Sequence, residues 1–305
     1  MNYKSEARAA VPTLGVLLLA GLTLVWGVNW PVMKISLNEI PPWTFRAMTT
    51  PAGGLVLLIC ARASGLSLTV PRRLWGAMIV VALFNFAILP LLSSYGLSLL
   101  TAGRAAILVF TMPIWASVFA VFFLGEAMTA RRVAALVAGT CGIATLMWGE
   151  LASFGATPKG AALMLAAALS WGLGTVLLKR IDWSIPTVTL TGWQLMIGGV
   201  PLIIGSLAVE IPAWQPASHA AWAGVVYNIF AVIGLGMYLW VRAVRLLPAG
   251  VSALGTLMIP VIGVISGALW LGEPVGWREA GGLVFILAAL WLTLFGRRAD
   301  APEDS

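Results

Sequence analysis

The chain of 305 residues is 60% hydrophobic and only 10% charged, with a mean hydropathy of +0.98. A water-soluble domain, in which about a quarter of the residues are charged, is excluded. The net charge of +7 is scattered singly or in pairs between apolar runs, which argues against a nucleic-acid partner and reads as loop charge that sets membrane topology.

Apolar runs bounded by charges, Gly and Pro predict an all-α polytopic membrane protein of ten transmembrane helices. They cover residues 12–33, 43–62, 74–95, 102–124, 131–149, 160–178, 186–208, 220–241, 249–271 and 277–296. Each approaches the twenty or so residues needed to cross about 30 Å of hydrocarbon at 1.5 Å per residue. The first run is too long for a signal-peptide core and lacks a small-residue cleavage pattern, so it is expected to stay as the first span. With the N-terminus inside, thirteen Lys and Arg fall on the cytoplasmic side and four outside, with Arg46 near the outer end of the second span. Both termini are therefore expected in the cytoplasm. Cys60 and Cys141 sit inside apolar runs, where cysteine behaves as a small hydrophobe and predicts neither a disulfide nor a metal site.

Two halves repeat. Ala102, Gly103, Pro113, Gly125 and Glu126 return as Ala249, Gly250, Pro260, Gly272 and Glu273, all displaced by 147 residues, and Trp26, Gly27 and Lys34 return as Trp171, Gly172 and Lys179 at an offset of 145. Five helices per copy is an odd number, so the second copy enters the membrane in the opposite sense. The expected organisation is a cytoplasmic segment 1–11, a first five-helix repeat 12–149, a periplasmic linker 150–159, an inverted second repeat 160–296 and a polar cytoplasmic tail 297–305. Inverted duplications of this kind are an architecture of secondary transporters, with the substrate near the pseudo-two-fold axis.

The Trp-Gly of the first span, Phe45-Arg46 in the second, A-G-R-A-A followed by T-M-P-I-W in the fourth, L-G-E closing it, and the half-length echo of these motifs resemble the drug/metabolite transporter superfamily. The likeness is to its ten-helix EamA branch, from about Leu14 to Phe295, and within the branch to aromatic amino-acid exporters of the YddG type. It implies an inner-membrane carrier with an internal cavity that exports small metabolites, amino acids foremost.

The eleven acidic residues all lie away from the middle of a span. Ionisable groups at mid-membrane are functional by default, and their absence here predicts a neutral or zwitterionic substrate moved without an obligatory intramembrane proton carrier. Substrate contacts are expected instead from polar and aromatic groups. Trp26, Asn29 and Trp30 lie past the centre of the first span, and Asn85 sits deep in the third, where an amide facing lipid would go unmet. Trp171 is near mid-depth, followed by Gly172 and Gly174. Tyr227 and Tyr238 flank Ala231 and Gly234 at α-helical spacing, and Trp193 and Gln194 stand at the repeat position of Phe45 and Arg46. Phe110 is a further candidate. Packing is the competing reading for Trp26 and Trp171, and an interhelical hydrogen bond for Asn29, Asn85 and Gln194.

Interfacial anchoring is the expected role of Trp43, Trp75, Trp148, Trp183, Trp214, Trp222, Trp277 and Trp291. Lys34 and Lys179 end spans on opposite sides and either snorkel to water or gate. Arg46 is read as another snorkelling cation. Pro113 and Pro260 interrupt the fourth and ninth spans at matching places as kinks or hinges. Beside them, Ala116 and Ala120 echo as Gly263 and Gly267, so these two spans are expected to pack as a spine through small faces. An intramembrane enzyme would need paired acids, a Ser-His arrangement or metal ligands. None is found, and the single histidine, His219, lies at a loop edge. No cofactor is expected, the partners are a small-molecule substrate and the bilayer, and the oligomeric state is not legible. Other uncharged metabolites or drugs, carried with or without proton coupling, are the alternative cargo.

Overall fold

The computed structural model describes residues 12–148, 157–210, 216–247 and 249–295. The terminal segments, most of the 150–159 linker and Trp214 lie outside the described residues. Among the described residues the structure is 85% helical without strands. In chain order the helices are α1 Thr13–Leu37, α2 Pro42–Ala63, α3 Arg72–Leu99, α4 Ala102–Leu124, α5 Ala130–Met147, α6 Thr157–Lys179, α7 Thr187–Glu210, α8 His219–Leu246, α9 Ala249–Leu271 and α10 Trp277–Phe295. Of these, α1 to α8 are long and apolar enough to cross a membrane, and a shorter apolar stretch, Gly255–Leu271, lies in α9. Their outer faces carry bare hydrophobes: Leu17, Phe122, Ile204 and Leu269 are 64%, 75%, 61% and 76% exposed. Only lipid makes such a surface stable.

Glycines set the closest helix contacts. A Cβ added at Gly54 of α2 would lie 2.9 Å from the Gly192 carbonyl of α7, and one at Gly142 of α5 would lie 3.2 Å from the Gly282 carbonyl of α10. The broad pairings are α2 with α7, α5 with α10, α1 with α9 and α8, α6 with α4 and α3, and α4 with α9. The α4–α9 contact uses the small face anticipated on α9, but on α4 it forms about half a helix away from the one anticipated there. Gly263 and Gly267 meet Ala106 and Ala102, while Ala116 packs against Gly172 of α6.

The two prolines of that pair also behave differently. Helix α4 is broken between Val109 and Met112, with Pro113 in the first turn of the second piece. Pro113 has no N–H, so it cannot bond the Val109 carbonyl. Pro260 lies within a continuous α9. Both α4 and α9 end on a left-handed glycine, Gly125 at φ 68° and Gly272 at φ 64°, a conformation in which any Cβ is strained.

Three helices contain π-helical stretches, Leu83–Ile88 in α3, Ser206–Glu210 in α7 and Tyr227–Leu235 in α8. A π turn bonds i to i+5 and displaces the following side chains around the helix. The stripe of Tyr227, Ala231, Gly234 and Tyr238 presumes α geometry, and the π stretch removes that premise. Tyr238 is 57% exposed, whereas the Tyr227 hydroxyl donates to the Val25 carbonyl of α1 at 2.8 Å. Trp183, expected at the lipid interface, is buried and donates its indole N–H to the Leu178 carbonyl.

Candidate functional site

A cavity of about 260 Å³ opens among α1 to α4, with α6, α7 and α8 each contributing one residue. On α1 the spacing of Asn29, Trp30 and Met33 places all three on one face. The π stretch of α3 brings Asn85 and Phe86 to the same wall as Leu89 and Ser93. The break in α4 presents Val109, Phe110 and Met112, and α6 adds Trp171. Of the residues nominated from sequence, Asn29, Trp30, Asn85, Phe110 and Trp171 meet here; Trp26, Trp193, Gln194, Tyr227 and Tyr238 lie elsewhere.

Three of those outside, Trp26, Trp193 and Tyr227, bond backbone carbonyls of other segments. The Trp26 indole donates to the Val232 carbonyl in the π stretch of α8 at 3.0 Å. The other mid-helix π stretch is served in the same way, by the Ser170 hydroxyl on the Phe84 carbonyl at 2.7 Å. Each bond meets a carbonyl in a stretch where the regular ladder is altered. Trp193 packs on Trp75 and bonds the Leu68 carbonyl. Gln194 is buried, and its amide nitrogen has no acceptor among the described residues.

Asn29 accepts from the Asn228 amide at 2.9 Å, so one cavity amide is also interhelical glue. Asn85 is different. Its side-chain oxygen is buried without a donor among the described residues, and it sits so tightly on Gly174 that a Cβ there would overlap it.

Arg46 enters the cavity instead of snorkelling to the helix end. Its Nε donates to the Ser94 hydroxyl at 2.6 Å and the Pro90 carbonyl at 3.1 Å, and Nη2 reaches the Met33 sulfur at 2.8 Å. Arg46 and Thr50 follow the i, i+4 spacing of one helix face, a signal available in the sequence and not used. Among the described residues no carboxylate lines the cavity.

The acids lie at helix ends. Glu210 accepts from Trp43 N, Thr44 N and the Thr44 hydroxyl at 3.2, 2.8 and 3.0 Å, capping α2, and from the Tyr95 hydroxyl. Glu273 accepts from Ala102 N and Gly103 N at 2.6 and 3.2 Å, capping α4. Negative charge is favourable at a helix N-terminus. Near these caps Lys34 donates to the Leu97, Ser98 and Leu100 carbonyls at 2.7, 3.1 and 2.8 Å, Arg104 pairs with Glu279, and Glu39 accepts from Ser218 N and Oγ at 2.6 and 2.7 Å. At the opposite end of the bundle Glu126 pairs with both Arg132 and Lys179. Lys34 and Lys179 thus lie at opposite ends of the bundle and are held by different means, one on carbonyls and the other on a carboxylate.

Comparison with known proteins adds a family. Residues 13–148, and again 158–295, match the EamA-like transporter family. An uncharacterized transporter of Bacillus subtilis, YvbV, is 33% identical over 285 residues, covering 92% of this chain and 91% of that relative. A probable amino-acid metabolite efflux pump of Salmonella typhimurium is 25% identical, with 91% and 93% covered. An aromatic amino acid exporter of Ancylobacter novellus, YddG, is 26% identical, with 82% and 91% covered.

Proposed function

The chain belongs to the EamA-like transporter family, and from that premise we propose that it exports neutral amino acids, aromatic and other apolar ones, across the inner membrane. The observation that carries the reading is the cavity: aromatic walls, two amides and no acid, at about 260 Å³. That volume falls just under the roughly 300–1,000 Å³ typical of drug-sized ligands, which favours a small metabolite over a drug. Two of the relatives are named for amino-acid efflux or export.

The mechanism we propose is alternating access between two inverted five-helix repeats of a ten-helix bundle with both termini cytoplasmic. Three features support it. The family match occurs once in each half. The helix pairings map onto themselves when α1–α5 are exchanged with α6–α10, so that α1 with α9 becomes α6 with α4. The π stretches of α3 and α8 fall on helices related by that exchange. The polar clusters at the two ends serve as the gates, with Lys34 in one and Lys179 in the other, and the break before Pro113 is the hinge.

Transport is uncoupled in this reading, because no cavity group is placed to carry a proton and a zwitterion has no net charge for the membrane potential to drive. Uptake of labelled phenylalanine and leucine into proteoliposomes, with and without a pH gradient and a potential, tests it. Saturable uptake indifferent to both is expected. Acceleration by an inward proton gradient would establish coupling, and failure of every neutral amino acid beside transport of another metabolite would remove the substrate.

A further inference from the structure

A cation stands in the cavity without a counter-ion. Among the described residues Arg46 forms no ion pair, although placing a guanidinium inside a membrane is expensive unless something compensates it. Its hydrogen bonds are one-sided. Nε is fixed by the Pro90 carbonyl and the Ser94 hydroxyl, the guanidinium lies 5.3 Å from the centre of the Phe45 ring, and the terminal nitrogens have the Met33 thioether alone as acceptor, a weak one. Lys34, a turn beyond the cavity, shows what saturation looks like: three donors on three carbonyls. Arg46 is oriented by one edge and leaves the other with no oxygen acceptor among the described residues.

We propose that Arg46 anchors a carboxylate of the transported molecule, and that the site selects amphipathic carboxylates. The Nη1–Nη2 edge, whose one acceptor is the weakly held Met33 thioether, matches a carboxylate bidentately. Trp30, Phe86, Phe110 and Trp171 take the apolar remainder. This rests on reading the cavity as the transport site and narrows the cargo: an amino acid fits, whereas its amide or ester, equally apolar, does not. Compensation of the buried charge is then supplied by the substrate itself, which couples occupancy to a settled electrostatic state of the bundle.

The test is ligand-induced thermal stabilisation of the purified full chain, with competition against phenylalanine uptake. The probes are phenylalanine, phenylalaninamide, 3-phenylpropionate and 3-phenylpropionamide. Each acid is expected to bind roughly ten- to hundredfold tighter than its amide, the range for hydrogen bonds to a charged group. Arg46→Gln should bring acid and amide within about twofold, and Arg46→Lys should keep the preference at lower affinity. The wild-type comparison needs no variant to fold. Phenylalanine and its amide competing equally would overturn the anchor while leaving amino-acid export intact. Tight, Arg46-dependent binding of 3-phenylpropionate with no amino acid bound would uphold the anchor and overturn the amino-acid reading. Binding of none of the acids overturns both.

Discussion

At the residue scale, the two inward-pointing cations separate structure from recognition by how many oxygens each already holds. Nothing in the letters K and R distinguishes Lys34 from Arg46; only the carbonyls at Leu97, Ser98 and Leu100 and their lack at Nη1 do. The same holds for glycine. Gly174→Ala would drive a methyl into the Asn85 amide oxygen, whereas Gly76 of α3 has nothing within 4 Å. The first substitution should lower stability by about 1–3 kcal/mol through overpacking and weaken ligand binding, since Asn85 lines the cavity. Gly76→Ala should be neutral or stabilising by up to about 1 kcal/mol. Thermal unfolding of both variants in detergent checks the pair. The Trp-Gly-x-Gly stretch made a close approach at Gly172 and Gly174 legible, but not that an asparagine from α3 is what approaches.

At the scale of the element, apolar length predicted where the helices lie, and α-helical periodicity misjudged what happens inside α3 and α8. A π stretch has no composition of its own. Phe84 and Val232 are apolar residues whose carbonyls matter only because Ser170 and Trp26 reach them. Ser170→Ala, at a buried site, should therefore cost about 1–3 kcal/mol by leaving a carbonyl unmet. Thr140→Ala should cost little, because that hydroxyl bonds within its own exposed turn. Parallel melts of the two variants measure the difference. Helix caps obey the same logic across elements. Glu210 lies far from α2 in sequence, so no local capping pattern could announce it. Glu210→Gln should lose about 1.5–3 kcal/mol, the range for hydrogen bonds to a charged acceptor, and Thr44→Val, which keeps both backbone donors, should lose less.

For the whole molecule, the duplication was legible in the repeated motifs, and the family match occurs once in each half, whereas the placement of the cavity mainly among α1 to α4 was not. The break before Pro113 presents Val109, Phe110 and Met112 to that cavity, whereas Pro260 lies within a continuous helix. One end of the bundle also answers to acid. Ser218 N–H and Oγ–H hold the Glu39 carboxyl below its ordinary value of 4.5. A depressed folded pKa contributes stability in full above the ordinary value and loses it as pH falls through the folded one. The stability difference between wild type and Glu39→Ala should thus be constant above pH 5 and shrink toward zero below about 4.5, read from melts across that range. A difference that grows on acidification would contradict the clasp. The cap on α4 has a further consequence, in time. Ala102 N and its acceptor Glu273 are 171 residues apart, roughly ten to thirty seconds of synthesis at about 5–20 residues per second. Throughout that interval the first half waits in the bilayer with the Ala102 and Gly103 amides unmet, and only Thr101 caps α4 locally. A chain cut anywhere before Glu273 therefore leaves the ribosome with its defect in the half that was finished first.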